Sequence, residues 1–279
     1  MRTVRAISPL RQIVRAWRTA GRRIGFVPTM GALHEGHLSL VRRARRENDE
    51  VVVSVFVNPT QFGPTEDLTR YPRPFARDAA LCRKAGVSAL FSPDPPELYS
   101  AEYQTWVTVD TLSVPLCGRF RPGHFRGVAT VVLKLLNIVQ PDRVYFGEKD
   151  FQQLRVVQQM VKDLNVPVDV VACPTVREPS GLALSSRNLA LSMEERLAAP
   201  LVRRALREAG QVLKSRRNVA QAKRAARTVL RKIPGGRIQY VDIVDPVSLG
   251  PPSRATGPYL LATAVYVGRT RLIDNLRVG

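Results

Sequence analysis

His34 and His37 stand three residues apart in the segment Pro28-Thr29-Met30-Gly31-Ala32-Leu33-His34-Glu35-Gly36-His37, and they are two of only three histidines in 279 residues. Two imidazoles at that spacing near a first helical turn can face one ligand, and each can donate a hydrogen bond to a phosphate oxygen. Gly31 and Gly36 let a ligand approach the backbone closely. The flanks set the geometry. Arg23 to Val27 reads as a short buried strand, and from Gly36 onward Leu38, Val41 and Ala44 recur at helical spacing opposite Arg42, Arg43, Arg45 and Arg46. A strand that hands over to a helix exposes backbone N–H groups and the positive end of a helix dipole, which favour phosphate. Taken alone, the HxGH pattern fits equally well a turn that happens to carry two surface histidines. Zinc is the weaker reading, because Cys82, Cys117 and Cys173 are scattered and no CxxC or HExxH spacing occurs.

Other chemistry-bearing residues follow predicted strands. Asn58 and Gln61 offer neutral amides that can hydrogen-bond a hydroxyl or carboxylate, although Asn-Pro is also an ordinary turn. Arg121 and His124 in RFRPGHFR form either an anion-binding entry or a basic loop. In Phe146-Gly147-Glu148-Lys149-Asp150-Phe151-Gln152-Gln153, a glycine, a lysine and a helix-initiating aspartate suit a phosphate contact beside an N-cap. Gly181 to Asn188 (GLALSSRN) puts two hydroxyls and an arginine in a small-residue loop, which suits a polyphosphate or a solvated coil.

The elements that position these residues alternate. Strands are expected at Glu50 to Val57, Val87 to Phe91, Gln104 to Val109, Arg143 to Phe146 and Val168 to Ala172, with helices at about Pro74 to Ala85, Gly127 to Val139 and Asp150 to Leu164. That rhythm predicts an α/β fold with a Rossmann-like parallel sheet, whose ligands gather at the carboxyl ends of the strands. Near Cys173 to Glu178 the character changes. Two arginine-rich helices, Met193 to Ser215 and Val219 to Ile233, precede strands at Ile238 to Val244 and Tyr259 to Val267, which predicts a smaller α+β C-terminal domain. The expected division is 1–175 and 176–279.

Composition bounds the function classes. A hydrophobic content of 44% is ample for a packed core, and no apolar run is long enough to span a membrane. Arg2, Arg5, Arg11, Arg15 and Arg18 interleave with Val4, Ile7, Leu10, Val14 and Trp17 as in a basic amphipathic helix, not a secretory signal. The odd, unpatterned cysteine count fits a reducing cytoplasm. The net charge of +20 raises nucleic acid as a partner, but the charge lies largely on helical surface positions without aromatic interleaving, so a solvated basic surface that draws in anionic substrates is preferred.

Together these segments resemble the pantothenate synthetase family of the HxGH nucleotidyltransferase superfamily, which is related to class I aminoacyl-tRNA synthetases. PTMGALHEGH, FVNPTQFG, YPRPFARD, RPGHFRGV, FGEKDFQQ and LSSRN occur in the family's order. The resemblance implies an enzyme that uses ATP to condense pantoate with β-alanine through a pantoyl adenylate. It places Met30, Gly31, Ala32, Leu33, His34, Glu35, Gly36 and His37 at ATP, with His37 as proton donor. It places Gly147, Glu148, Lys149, Asp150 and Val176 at the nucleotide, with Lys149 at the phosphates, and makes Leu184, Ser185, Ser186 and Arg187 a mobile loop over the β- and γ-phosphates. Gln61 and Gln153 would bind pantoate, with Gln61 also close to β-alanine. Mg²⁺ is expected with ATP, held mainly by phosphate oxygens and water with one carboxylate such as Asp78 or Asp150, and the family suggests a homodimer. Thr60 and Leu184 stand where methionine is common and Pro74 where threonine is common. Two alternatives are another HxGH nucleotidyltransferase and a synthetase-like nucleic-acid-binding protein; paired glutamines suit a hydroxy acid better than a phosphorylated substrate.

Overall fold

The computed structural model describes every residue except Thr65, Asp67 and 253–256. The chain forms two compact units, the first from Met1–Ser113, Arg121–Glu148 and Gln153–Pro174, the second from Val114–Phe120, Lys149–Gln152 and Thr175–Gly279.

The first unit is built on a parallel sheet. Its strands are β1 (Arg2–Val4), β2 (Ile24–Thr29), β3 (Glu50–Val55), β4 (Ala89–Phe91), β5 (Arg143–Gly147) and β6 (Asp169–Cys173), in the order β1-β4-β3-β2-β5-β6. Val51, Val52 and Val53 on β3 are all fully buried, as a strand covered on both faces requires. Burying each such side chain is worth about 1.5–3 kcal/mol. The principal helices are α1 (Ile7–Thr19), α2 (Glu35–Glu47), α3 (Phe75–Lys84), α4 (Pro95–Leu98), α5 (Asp110–Ser113), α6 (His124–Val139) and α7 (Phe151–Asp163). Val41 and Ala44 of the apolar stripe read from the sequence pack with Val27, Val51 and Val53, and Leu40 joins them in place of the expected Leu38, which is only partly buried. The chain moves from β2 through β3 to β4 on one side, then crosses so that β5 pairs with the other edge of β2. The carboxyl ends of β2 and β5 therefore flank the point where strand order reverses, the usual ligand site of such sheets.

The second unit carries an antiparallel sheet of β7 (Arg237–Val244), β8 (Tyr259–Val267) and β9 (Thr270–Val278), packed against α9 (Leu201–Arg216) and α10 (Val219–Leu230). Gly210 of α9 lies tightly against β9: a Cβ there would lie 3.0 Å from Leu276 Cδ2.

Four sequence expectations need correction. Gln104 to Val109 forms no strand; Val107 N–H donates to Thr130 Oγ1 at 3.0 Å and Trp106 lies beneath the Arg126 guanidinium. Met193 to Ser215 is two helices, α8 (Met193–Ala198) and α9, because Pro200 supplies no N–H to continue the ladder. The amphipathic N-terminus divides into β1 and α1, since Arg2–Val4 pairs with Ala89–Phe91. α6 begins at His124, one turn before the expected start at Gly127.

Candidate active site

His34 is the N-cap of α2, a position that normally favours Ser, Thr, Asp or Asn. Its Nδ1 accepts the Gly36 N–H at 3.1 Å, while Nδ1 of His37 accepts the His34 N–H at 3.3 Å. A ring nitrogen that accepts carries no proton, so each neutral imidazole holds its hydrogen on Nε2. The reciprocal cap thus sets both tautomers and gives two Nε2–H donors on rings whose centroids are 4.0 Å apart. The HxGH histidines therefore build the helix terminus and arm it as a donor pair.

The turn before them is unusual backbone. Gly31 and Ala32 both have positive φ, at 85° and 50°. A Cβ on Gly31 would lie 3.0 Å from Val55 Cγ1 and 3.1 Å from Asp78 Oδ2, so both conformation and space favour glycine. Asp78, in the first turn of α3 and almost fully buried, holds this turn: its Oδ2 accepts the Ala32 N–H and its Oδ1 the Leu33 N–H, each at 2.8 Å. Burial pushes the Asp78 carboxyl above the ordinary aspartate value, against the opposing effect of those two donors. Both oxygens serve the backbone, so Asp78, an expected metal-ligand candidate, acts as a bracket for the HxGH turn. The residue was visible in the sequence; its partners 45 and 46 positions away were not.

Gln61 closes a short 3-10 turn, Pro59–Gln61, beyond β3. Asn58 Nδ2 donates to Gln61 Oε1 at 3.1 Å and to Gly127 O at 3.1 Å. With its oxygen taken by Asn58, Gln61 turns its amide nitrogen to within 3.1 Å of Met30 Sδ. Thr60, in the place where methionine is common, bonds Asn58 Oδ1 at 2.9 Å and lies 3.3 Å from the Tyr99 hydroxyl. Pro74 is the N-cap of α3, a helix start that tolerates its missing N–H, and leaves Asp78 in place. Gln153 lies on α7 in the same unit, Gly147 ends β5, and a Cβ on Gly147 would meet open space.

The second unit holds the remaining residues. Lys149 Nζ is 3.5 Å from Asp150 Oδ1, and the Lys149 carbonyl accepts from Asn275 Nδ2 at 3.0 Å. Val176 O accepts from Leu184 N–H at 3.0 Å, which makes 176–184 a narrow loop turning at Gly181. Its base is pinned by Arg177, which donates to both oxygens of the buried Asp274 at 2.7 and 2.8 Å. Ser185 Oγ accepts the Arg187 N–H at 3.3 Å, so the hydroxyl caps the short helical turn Ser186–Ala190. Asn188, buried beneath, donates to Ala183 O at 3.0 Å. The serines, Arg187 and Asn188 are visible in the sequence as one motif, whereas nothing there marks Asp274 as the partner of Arg177. Asp274 shows only as a polar residue at an inward position of β9.

A family model for pantoate-beta-alanine ligase matches residues 2–277. The chain belongs to that family. A pantothenate synthetase of Moorella thermoacetica is 53% identical over 277 residues, covering 99% of this chain and 98% of the relative. The pantothenate synthetase structure from Thermus thermophilus superposes with a TM-score of 0.94 at 51% identity, covering 99% of each chain. A pantoate-beta-alanine ligase from Francisella tularensis, complexed with beta-gamma ATP and beta-alanine, gives a TM-score of 0.82 at 35% identity over 99% of this chain and 97% of that one. The parallel sheet and the separate antiparallel sheet are the fold of the pantoate-beta-alanine ligases. Neither alternative drawn from the sequence, another nucleotidyltransferase or a nucleic-acid-binding protein, is favoured by a match that spans the ligase family end to end.

Proposed function

We propose that this protein condenses pantoate with β-alanine at the expense of ATP, in two steps. In the first, a pantoate carboxylate oxygen attacks the α-phosphorus, the bond to the bridging oxygen of pyrophosphate breaks, and pantoyl adenylate forms. In the second, the β-alanine amine attacks the acyl carbon, AMP leaves with the electron pair of the acyl–oxygen bond, and the amine gives up a proton to form the amide. A free carboxylate is a poor acyl donor, and adenylation supplies the leaving group.

The observation that carries this reading is the approach of the Gln61 amide to Met30 at the start of the HxGH turn. It sets a donor suited to an acid oxygen beside the loop whose histidines would offer Nε2–H donors to phosphate. Each donor aimed at charge that grows in the transition state contributes more there than in the ground state. His34 and His37 would stabilise the phosphate charge, and His37 would be the proton donor. Lys149 would add a positive charge at the phosphates, with Gly147, Glu148, Asp150 and Val176 along the nucleotide. Gln61 and Gln153 would hold pantoate, Gln61 also near β-alanine, and Leu184, Ser185, Ser186 and Arg187 would cover the β- and γ-phosphates.

Mg²⁺ fits this scheme as a companion of ATP. Asp78 commits both oxygens to backbone N–H groups, which leaves Asp150 as the candidate carboxylate. The metal would be carried mainly by phosphate oxygens and water and would neutralise triphosphate charge. A homodimer working in the cytoplasm is part of the same proposal; among the described residues no helix is long and apolar enough to cross a membrane. The deciding experiment is ATP–pyrophosphate exchange with and without pantoate, followed by AMP release on adding β-alanine. Exchange should require pantoate, and AMP should appear only with the amine; exchange that ignores pantoate would overturn the assignment.

A further inference from the structure

The RPGHF motif, left in the sequence as an anion entry or a basic loop, has a specific place in the first unit. His124 opens α6 and is buried, and its Nδ1 lies 2.8 Å from the Gln61 carbonyl oxygen. Its Nε2 lies 2.9 Å from Arg121 Nη1. A guanidinium has no acceptor, so Arg121 donates, Nε2 accepts, and the imidazole hydrogen must sit on Nδ1, where it donates to the Gln61 carbonyl. This tautomer is opposite to that of His34 and His37. Arg121 is itself anchored by a two-pronged pair to Glu66, Nε to Oε1 and Nη2 to Oε2, each at 2.6 Å.

The start of α6 also fits the turn sterically. The Gly127 carbonyl accepts from Asn58 Nδ2 at 3.1 Å, and a Cβ on Gly127 would lie 2.4 Å from Thr60 O. The turn that carries Gln61 is thus held at its carbonyl by His124, at Asn58 by the Gly127 carbonyl, and at Thr60 by a helix surface with no room for a methyl group.

We propose that His124, steered by Arg121, is a positioning residue for Gln61: it fixes the turn so that the Gln61 amide nitrogen faces the acid substrate. The motif then belongs to acid recognition and not to nucleotide entry. This rests on the reading that Gln61 holds pantoate, and the test separates the two.

The tautomer is read first, without mutation, from ¹⁵N imidazole spectra at neutral pH. His124 should carry its hydrogen on Nδ1; a signal showing Nε2–H for His124 would overturn the proposal. Steady-state kinetics on His124→Leu, His124→Asn, Arg121→Gln and Gln61→Ala give the second readout. Loss of one oriented hydrogen bond should raise the pantoate KM of His124→Leu about tenfold with the ATP KM unchanged. His124→Asn keeps an amide N–H near the Nδ1 position and should recover to within about threefold, and Arg121→Gln should sit between them. Equal rises in both KM values, or a lower kcat with the pantoate KM unchanged, would assign His124 a general structural role. If Gln61→Ala raises the pantoate KM and His124→Leu does not, the positioning role fails alone; if Gln61→Ala leaves it unchanged, the reading of Gln61 fails and the proposal with it.

Discussion

At the scale of single residues, the two HxGH imidazoles combine jobs that usually belong to different side chains. Nδ1 of His34 caps α2 and thereby commits Nε2–H to donation, so capping and chemistry are coupled through one ring. Asparagine caps helices as well as any residue but has no counterpart to Nε2. His34→Asn should therefore hold thermal stability close to wild type while pantoate-dependent pyrophosphate exchange falls about 100-fold or more, the usual loss on deleting one transition-state donor. Near-normal exchange in that variant would reduce His34 to a cap. His34→Ala should lose both, with about 1 kcal/mol of stability gone as well, as denaturant unfolding would show.

Between elements, the decisive contacts link the end of one strand to the start of a distant helix. Asp78 on α3 bridges to the turn between β2 and α2, and a carboxylate suits that place because both incoming groups are N–H donors. Asp78→Asn keeps the shape but turns an NH₂ toward one of them, leaving a buried donor without an acceptor at a cost of about 1–3 kcal/mol. The variant should unfold at lower denaturant concentration, and its ATP KM should rise more than its pantoate KM, because the displaced turn carries His34 and His37. A rise confined to pantoate would mean that Asp78 brackets something other than the nucleotide loop.

For the whole molecule, the feature that stands apart is the net charge of +20. A field of that sign concentrates anions near the surface and is screened over about 8 Å at physiological ionic strength. Pantoate and ATP are anionic, whereas β-alanine is a zwitterion with no net charge. Raising salt from low ionic strength to about 0.15 M should accordingly lower kcat/KM for pantoate and ATP several-fold and leave that for β-alanine nearly unchanged. Equal salt effects on all three substrates would detach the basic surface from substrate capture.

Much of the architecture could be read locally, because buried parallel strands are continuous apolar runs and the helices carry their own stripe. The run of valines in β3 and the spacing of Val41 and Ala44 in α2 state their burial within a dozen residues, although Leu40 and not Leu38 completes the buried face of α2. β1 and β9 escaped that reading for physical reasons. Three residues with one buried side chain have no period, and β9 turns a charged Asp274 inward because Arg177, far away in the chain, neutralises it. Motif order alone pointed to the ligase family. What only the tertiary structure decided is orientation: which imidazole nitrogen bears hydrogen, which way the Gln61 amide points, and why Asp78 is occupied by backbone. Each depends on partners two to 63 residues apart meeting at hydrogen-bond distance. Side-chain type and spacing fix what a group can donate or accept, but the partner that makes the choice comes from another part of the fold.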